Sequence, residues 1–339
     1  MEKLRISLIG AGRVGKVHAL SLKNNIPEAE LVAVVDKDEE AAKRLAKEFE
    51  LKMYFKDYRE ALNWGKFDAI IITTPTFTHK AIAVDAARVK KHIFCEKPMA
   101  LNLKEADSMI QEAKGTKVKL QVGFMRRFDR GFLAAKEKVK EGSMGEPLLI
   151  KSIGRGPGLP PEWAWDIKKS SGMLAEVGSH DFDTLRWFAE SEFDKIYAFA
   201  ENYKCPQVKK KYLDFYDHAV VIARFQNGKL GMLDVGCPVS YGYDARMEVL
   251  GTEGVIFAGG IKDNQVTVCT KSSGAVSSIY NSWRDRFKDA YIDELRHFVG
   301  VIKRDEEPLV TGEDGKKVVE AVAAANKSIQ IGQAVSLPL

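Results

Sequence analysis

What the 339 residues lack narrows the field before any motif is read. Cysteine is scarce: Cys95, Cys205, Cys237 and Cys269 are far apart and form no CxxC pair. A disulfide framework and a cysteine-based zinc module are thereby excluded, and free thiols in a reducing cytoplasm are expected. No apolar run approaches the ~20 residues of a membrane-crossing helix. The opening MEKLRISLIG enters a strand without the charged, apolar and cleavage regions of a secretory leader. Excess charge of one sign is also missing. The 52 Lys and Arg against 47 Asp and Glu leave +5, with no basic run, so neither nucleic acid nor membrane is expected as a partner. There is no internal repeat and no low-complexity segment.

What is present is globular. Hydrophobic residues make up 45% and charged residues 29% of the chain. The length exceeds one ordinary core, so two domains are expected, 1–122 and 123–339. In the first, short β-branched runs alternate with helical patterns, which predicts an α/β Rossmann fold with a doubly wound parallel sheet. Its strands are read at Leu4–Ile9, Leu31–Val35, Ala69–Thr73, His92–Cys95 and Val118–Val122, with Lys52–Phe55 as an edge. Helices are read near 13–24, 38–49, 77–90 and 102–114. The second domain reads as α+β with a large, mainly antiparallel open sheet. It begins with a helix over 131–141 and a strand over 148–152. A loop rich in Gly, Pro and Trp leads to one helix over 172–189. Strands run from Ile196 to Val268, with Asn227-Gly228 as a hairpin turn. Two helices, 286–303 and 314–331, close the chain.

Gly10-Ala11-Gly12-Arg13-Val14-Gly15 follows a strand and opens a helix, the context that makes this pattern a dinucleotide site. Gly10 permits the turn, Gly12 lets the backbone approach a pyrophosphate, and Gly15 lets helix and strand pack closely. The helix N-terminus then offers N–H groups and partial positive charge to the phosphates. Asp36 ends the second strand, where a carboxylate accepts from a ribose 2′-hydroxyl and repels a 2′-phosphate. NAD is therefore expected, with NADP the weaker alternative that Lys37 favours. Beyond the carboxyl ends of later strands lie Thr73, Thr74, Pro75 and His79, then Glu96 and Lys97, all candidate cofactor contacts. His79 serves equally well as a helix-start residue.

Glu176, His180 and Asp183 stand at i, i+4 and i+7, so a continuous helix puts all three on one face. Imidazole beside carboxylates suits proton removal from an alcohol. A metal reading of the same trio lacks a second His and any HExxH pattern, and no metal is expected. Arg127, Asp183 and Tyr243 are polar candidates for gripping a polyhydroxylated ring, although Arg126 or Arg127 also suits an ion pair with Asp129. Trp163 and Trp165 suit either stacking on a sugar face or buried packing.

The whole chain resembles the glucose–fructose oxidoreductase, inositol dehydrogenase and MocA family. The resemblance rests on the GAGRVG turn, the Thr-Pro…His segment, Glu96-Lys97-Pro98, and Gly123-Phe124-Met125-Arg126-Arg127-Phe128-Asp129. It continues through residues 172–183 (GMLAEVGSHDFD), Tyr241-Gly242-Tyr243-Asp244 and Thr311-Gly312-Glu313-Asp314-Gly315. Within the family it is most similar to inositol 2-dehydrogenases. The resemblance implies that His180 is the base taking a substrate hydroxyl proton, that Lys97 assists at the same hydroxyl, and that Pro98 holds Lys97, through a cis bond in one reading. It implies hydride transfer from a cyclitol or sugar to NAD, best guess an inositol. It also implies a cytoplasmic homo-oligomer, dimer or tetramer, paired through the antiparallel sheet. An NAD-using glycosidase and a non-catalytic NAD(P)-sensing regulator are the alternatives. Two departures stand out: Glu176 replaces the usual Asp, leaving its orienting role open, and Gly154-Arg155-Gly156-Pro157 lacks the His and Asn that commonly face the cyclitol.

Overall fold

Uniformly apolar runs build the first sheet, because strands covered on both faces have no polar side to show. In the computed structural model, which describes residues 2–339, the chain runs β1 (Leu4–Ile9), α1 (Arg13–Asn25), β2 (Ala29–Val35), α2 (Glu39–Glu48), β3 (Met53–Phe55) and α3 (Tyr58–Trp64). It continues with β4 (Ala69–Ile72), α4 (His79–Arg88), β5 (His92–Glu96), α5 (Leu103–Thr116) and β6 (Leu120–Gly123). The six strands lie in the order β3-β2-β1-β4-β5-β6 and every neighbouring pair is parallel. That is the doubly wound order, with its switch point between β1 and β4. All four residues of β4 are buried, as their side chains require. The expected edge strand is present as β3. The short helix α3, started by the Asp57 side chain accepting from the Arg59 N–H, was not foreseen.

The next stretch is α6 (Arg130–Lys140), β7 (Pro147–Arg155), α7 (Ile167–Ser170), α8 (Met173–Glu176), α9 (Ser179–Ala189), β8 (Phe193–Glu201), α10 (Pro206–Lys209), β9 (His218–Phe225) and β10 (Leu230–Gly236). Then follow β11 (Asp244–Gly251), β12 (Val255–Gly259), β13 (Lys262–Thr270), β14 (Gly274–Ile279), α11 (Trp283–Arg286), α12 (Lys288–Arg304), α13 (Gly312–Ile331) and β15 (Val335–Ser336). Seven strands form a second sheet in the order β12-β11-β7-β10-β9-β8-β15, antiparallel except for the pair β7 and β10. The β9–β10 hairpin turns at Asn227-Gly228, with Gly228 at φ 85, as the dipeptide predicts.

Two compact units result. One comprises the chain up to Phe128 together with Asp289–Val319; the other comprises Asp129–Lys288 with Glu320–Leu339. The expected division at 122/123 differs from this chiefly in the returning segment. Leu295, Phe298 and Val299 of α12 join one core cluster with Leu8, Leu22, Val34 and Phe94. The Phe94 and Phe298 rings meet edge-on at 5.7 Å, and Val122 N–H donates to the Val310 carbonyl. Chain order hides this because the partners are about two hundred residues apart.

A second difference concerns the helix expected over 172–189. It is two helices, α8 and α9, interrupted at Val177-Gly178. At Gly178 the chain passes so near its own previous turn that an added Cβ would lie 2.8 Å from the Leu174 carbonyl oxygen. Glu176 is therefore the last residue of α8, while His180 and Asp183 belong to α9.

Truncating Phe298, which is fully buried, is expected to cost about 3–5 kcal/mol. Urea denaturation of Phe298→Ala should show a correspondingly lower midpoint. An unchanged midpoint would contradict the placement of α12 in the first core.

Candidate active site

In the first unit, the turn after β1 is set by steric contact. Gly10 adopts φ +114, and an added Cβ there would lie 2.6 Å from Thr73 Oγ1. An added Cβ on Gly15 would lie 2.0 Å from the Gly10 carbonyl oxygen, so only glycine lets α1 descend onto the turn. Gly12 is the reverse case: a Cβ there meets nothing within 4 Å. Gly12 also caps α1 without a side-chain hydrogen bond, and the first turn holds no acidic residue. A helix N-terminus left uncapped beside open space fits a dinucleotide's phosphates. Arg13 is exposed and Val14 half-buried beside it.

Asp36 follows β2, its Oδ2 accepting from the Ala11 N–H at 2.8 Å and its Oδ1 from the Asp38 N–H at 2.9 Å. The carboxylate is thus fixed against the glycine turn, with Lys37 exposed next to it. Thr73 Oγ1 donates to the Gly10 carbonyl at 2.8 Å, pinning the turn. Thr78 Oγ1 donates to Thr74 Oγ1 and to the Pro75 carbonyl, both at 2.7 Å, which stiffens the next loop. His79 is buried, with Nδ1 2.9 Å from the Pro98 carbonyl and Nε2 2.7 Å from the Thr74 carbonyl. Burial pushes its pKa down, while those carbonyls favour the charged ring. Both nitrogens are engaged within the protein, so His79 ties two loops together in place of the expected cofactor contact.

β5 ends at Glu96, and the Lys97–Pro98 peptide is cis. Glu96 is turned inward: its Oε1 lies 2.6 Å from His18 Nε2, and its Oε2 accepts from the Lys97 N–H at 3.2 Å. His18 escaped the sequence reading, though it lies on the α1 face with Gly15, Ala19 and Leu22, a spacing that marked it as interior. Arg127 belongs to the first unit and pairs with Asp314 at 3.0 Å. The expected partner, Asp129, instead pairs with Arg286 at 2.7 Å in the second unit.

The second unit buries an unusually polar helix face. On α9, His180 is 6% exposed, Asp183 1% and Asp181 fully buried. Thr184 Oγ1 donates to the His180 carbonyl at 2.7 Å. Asp181 is held by the Ser152 hydroxyl at 2.6 Å. An added Cβ on Gly154 would lie 2.1 Å from Asp181 Oδ2, so that strand position has no room for a larger residue. His180 and Asp183, three apart, still share a face of α9; Glu176 sits half-buried at the end of α8. Tyr243 is fixed by its N–H donating to the Tyr280 carbonyl at 2.7 Å and by an edge-on Phe287 ring at 6.1 Å. Trp165 packs against Tyr212 and Phe215 and donates to the Pro160 carbonyl at 2.9 Å, which selects the packing reading for that residue.

An NAD-type nucleotide turn in one unit and a buried imidazole–carboxylate helix in the other define an NAD-binding Rossmann oxidoreductase. Residues 4–124 match the family model described as "Oxidoreductase family, NAD-binding Rossmann fold" (GFO/IDH/MocA), and residues 132–257 match that family's C-terminal domain. Over 334 residues the chain is 35% identical to a myo-inositol 2-dehydrogenase of Thermotoga maritima, covering 98% of each. It is also 35% identical over 336 residues to a scyllo-inositol 2-dehydrogenase (NAD(+)) of Bacillus subtilis, covering 99% of this chain and 97% of that one. The structure of scyllo-inositol dehydrogenase from Lactobacillus casei with bound NAD(H) and scyllo-inositol superposes with a TM-score of 0.92, at 27% identity and 99% coverage of both. The chain belongs to the GFO/IDH/MocA family; it is an NAD-dependent dehydrogenase of the kind acting on CH–OH groups, and NAD is its cofactor.

The two inner glycines separate stability from binding. Gly15→Ala forces a backbone shift and should cost about 1–3 kcal/mol in urea denaturation. Gly12→Ala should stay within about 1 kcal/mol of native stability yet raise the NAD dissociation constant at least about tenfold, since its methyl fills the phosphate approach. Equal effects from both would contradict this division.

Proposed function

We propose that the protein oxidises a secondary alcohol of a cyclitol, an inositol in the first instance. The observation that carries this is near full-length similarity to proteins named inositol 2-dehydrogenases, in a chain whose second unit buries His180 and Asp183 on one face of α9. NAD, when bound, accepts the hydrogen of the alcohol carbon with its electron pair. Gly12 and the α1 N-terminus would hold its phosphates over the turn that Gly10 and Gly15 shape, and Asp36 would select the unphosphorylated ribose.

The protein's own chemistry is proton handling. His180 takes the hydroxyl proton, an imidazole being a good acceptor near neutral pH. The Lys97 ammonium stabilises the charge developing on that oxygen. Asp183 and Tyr243 grip neighbouring hydroxyls. Glu176, at the end of α8, is assigned an orienting role. Arg127 supports the fold through Asp314.

We further assign the open face of the seven-stranded sheet to a second copy of the chain. The register places Phe257, Glu248, Lys151, Met232, Ile222 and Tyr197 in one row on a single face. Phe199, two residues beyond Tyr197, shares that face. Phe257 is 70% exposed, Phe199 66% and Ile222 53%, a combination expensive to leave in water. Lys151–Glu248 and Arg155–Asp234 ion pairs stand among them. Four free cysteines, three of them buried, favour a reducing cytoplasm, and no helix among the described residues is long and apolar enough to cross a membrane.

Purified protein supplied with NAD should produce NADH with at least one inositol isomer in a screen that includes common hexoses. Lys97→Ala and His180→Ala should each lower kcat by about 10²–10⁴. No NADH with any inositol, or native kcat in either variant, would refute the assignment. Light scattering should give a dimer or tetramer, and Phe199→Asp with Phe257→Asp should release monomers; a monomeric native chain would refute the pairing.

A further inference from the structure

Beneath Lys97 the first unit buries a titratable cluster for which the proton chemistry above has no use. His18 of α1 and Glu294 of α12 are fully buried, and Glu96 at the end of β5 is 6% exposed. One side-chain nitrogen or oxygen from each lies within 4.8 Å of the other two. The imidazole is wedged edge-on by Phe94 at 5.2 Å and Tyr291 at 5.6 Å, so it cannot turn away from Glu96. Across the carboxylate, an added Cβ on Gly123 would come within 3.2 Å. Glu96 is boxed in, with one oxygen on His18 and the other on the main chain of Lys97.

We propose that His18, Glu96 and Glu294 form a positioning cluster for Lys97, the imidazole fixing one oxygen of Glu96 so that the other holds the Lys97 amide. The inference rests on the assignment of Lys97 to the alcohol oxygen. A rigid main chain at Lys97 limits the arc its side chain can sweep, and small misplacements of a catalytic group are costly to rate. Glu294 closes the cluster from α12. Its two carboxyl oxygens have no hydrogen-bond partner among the described residues. Burial, then the charge of Glu96, pushes its pKa well above the usual carboxylate range. The groups facing it are Glu96 from β5 and His18 from α1, while Gln121 of β6 donates to its backbone carbonyl at 3.0 Å. Glu96 thus stands between the two, one oxygen against His18 Nε2 and the other accepting from the Lys97 N–H. A cation is disfavoured here: ligands about 2.0–2.2 Å from a metal stand roughly 3 Å or more apart, whereas His18 and Glu96 are in direct contact at 2.6 Å.

The test uses the full chain with NAD and the polyol found in the screen. His18→Leu keeps bulk but removes the bond to Glu96; kcat should fall at least about tenfold while the NAD dissociation constant, read by fluorescence titration, stays within about threefold. His18→Gln, whose amide can donate to Glu96, should restore kcat to within about threefold of native. A second readout needs no activity. An acid whose folded pKa is raised keeps its proton in the native state after the unfolded chain has lost it, so native stability falls as pH climbs above the unfolded value. Glu294→Gln should flatten that fall between about pH 5 and pH 8, and this holds even where His18→Leu does not fold. Native kcat in His18→Leu alongside an inactive Lys97→Ala would overturn the cluster alone; native kcat in Lys97→Ala would overturn the assignment beneath it. An unaltered pH slope in Glu294→Gln would also overturn it. So would a stoichiometric divalent metal in the native protein that is lost from His18→Leu.

Discussion

The contact between the Cα of Gly15 and the carbonyl of Gly10 governs the first unit. With no side chain at Gly15, α1 settles directly over the end of β1, and Thr73 of the neighbouring strand end locks the same carbonyl from the other side. Once α1 is that low, helical periodicity decides what it buries: Gly15, His18, Ala19 and Leu22 turn inward together. The same approach leaves the N–H groups at the start of α1 aimed outward at Gly12, where nothing stands in the way. One steric fact therefore produces both an anion-ready helix end and a buried imidazole behind Glu96.

Much of this was legible because it is local. A strand, a glycine turn and an amphipathic helix read directly from spacing, and β1 is found with the boundaries its apolar run predicts. Asp36 was legible for the same reason, lying one residue past β2. The parts that were not legible are those in which a residue's partner is remote in sequence. His79 could be a ligand or a helix start until Thr74 and Pro98 were seen on its two nitrogens. For Arg127, nothing nearby in the chain announced Asp314, whose other oxygen accepts from the Thr311 N–H and hydroxyl at the start of α13.

The break between α8 and α9 shows a different limit. The 3.6-residue period runs through Gly178 without a flaw, so spacing alone predicts one helix carrying Glu176, His180 and Asp183. Glycine has the weakest helical preference after proline, and here the chain uses it to let a new helix start against the old one.

The second unit also explains why its β7 carries glycine at position 154. Alternation along β7 sends Ser152 and Gly154 toward α9, and Lys151, Ile153 and Arg155 toward the open face. Asp181 fills the α9 side: Ser152 satisfies one of its oxygens, and its other oxygen occupies the space a Cβ at 154 would need. A larger side chain at 154 would have to evict a buried carboxylate, and leaving such a group unpaired costs more than the contact it replaces. The opposite face of the same strand carries Lys151 and Arg155 into the surface assigned to the second copy. A period-2 strand can hold two different faces only if each side has its own partners, and β7 has Asp181 on one side and Glu248 and Asp234 on the other.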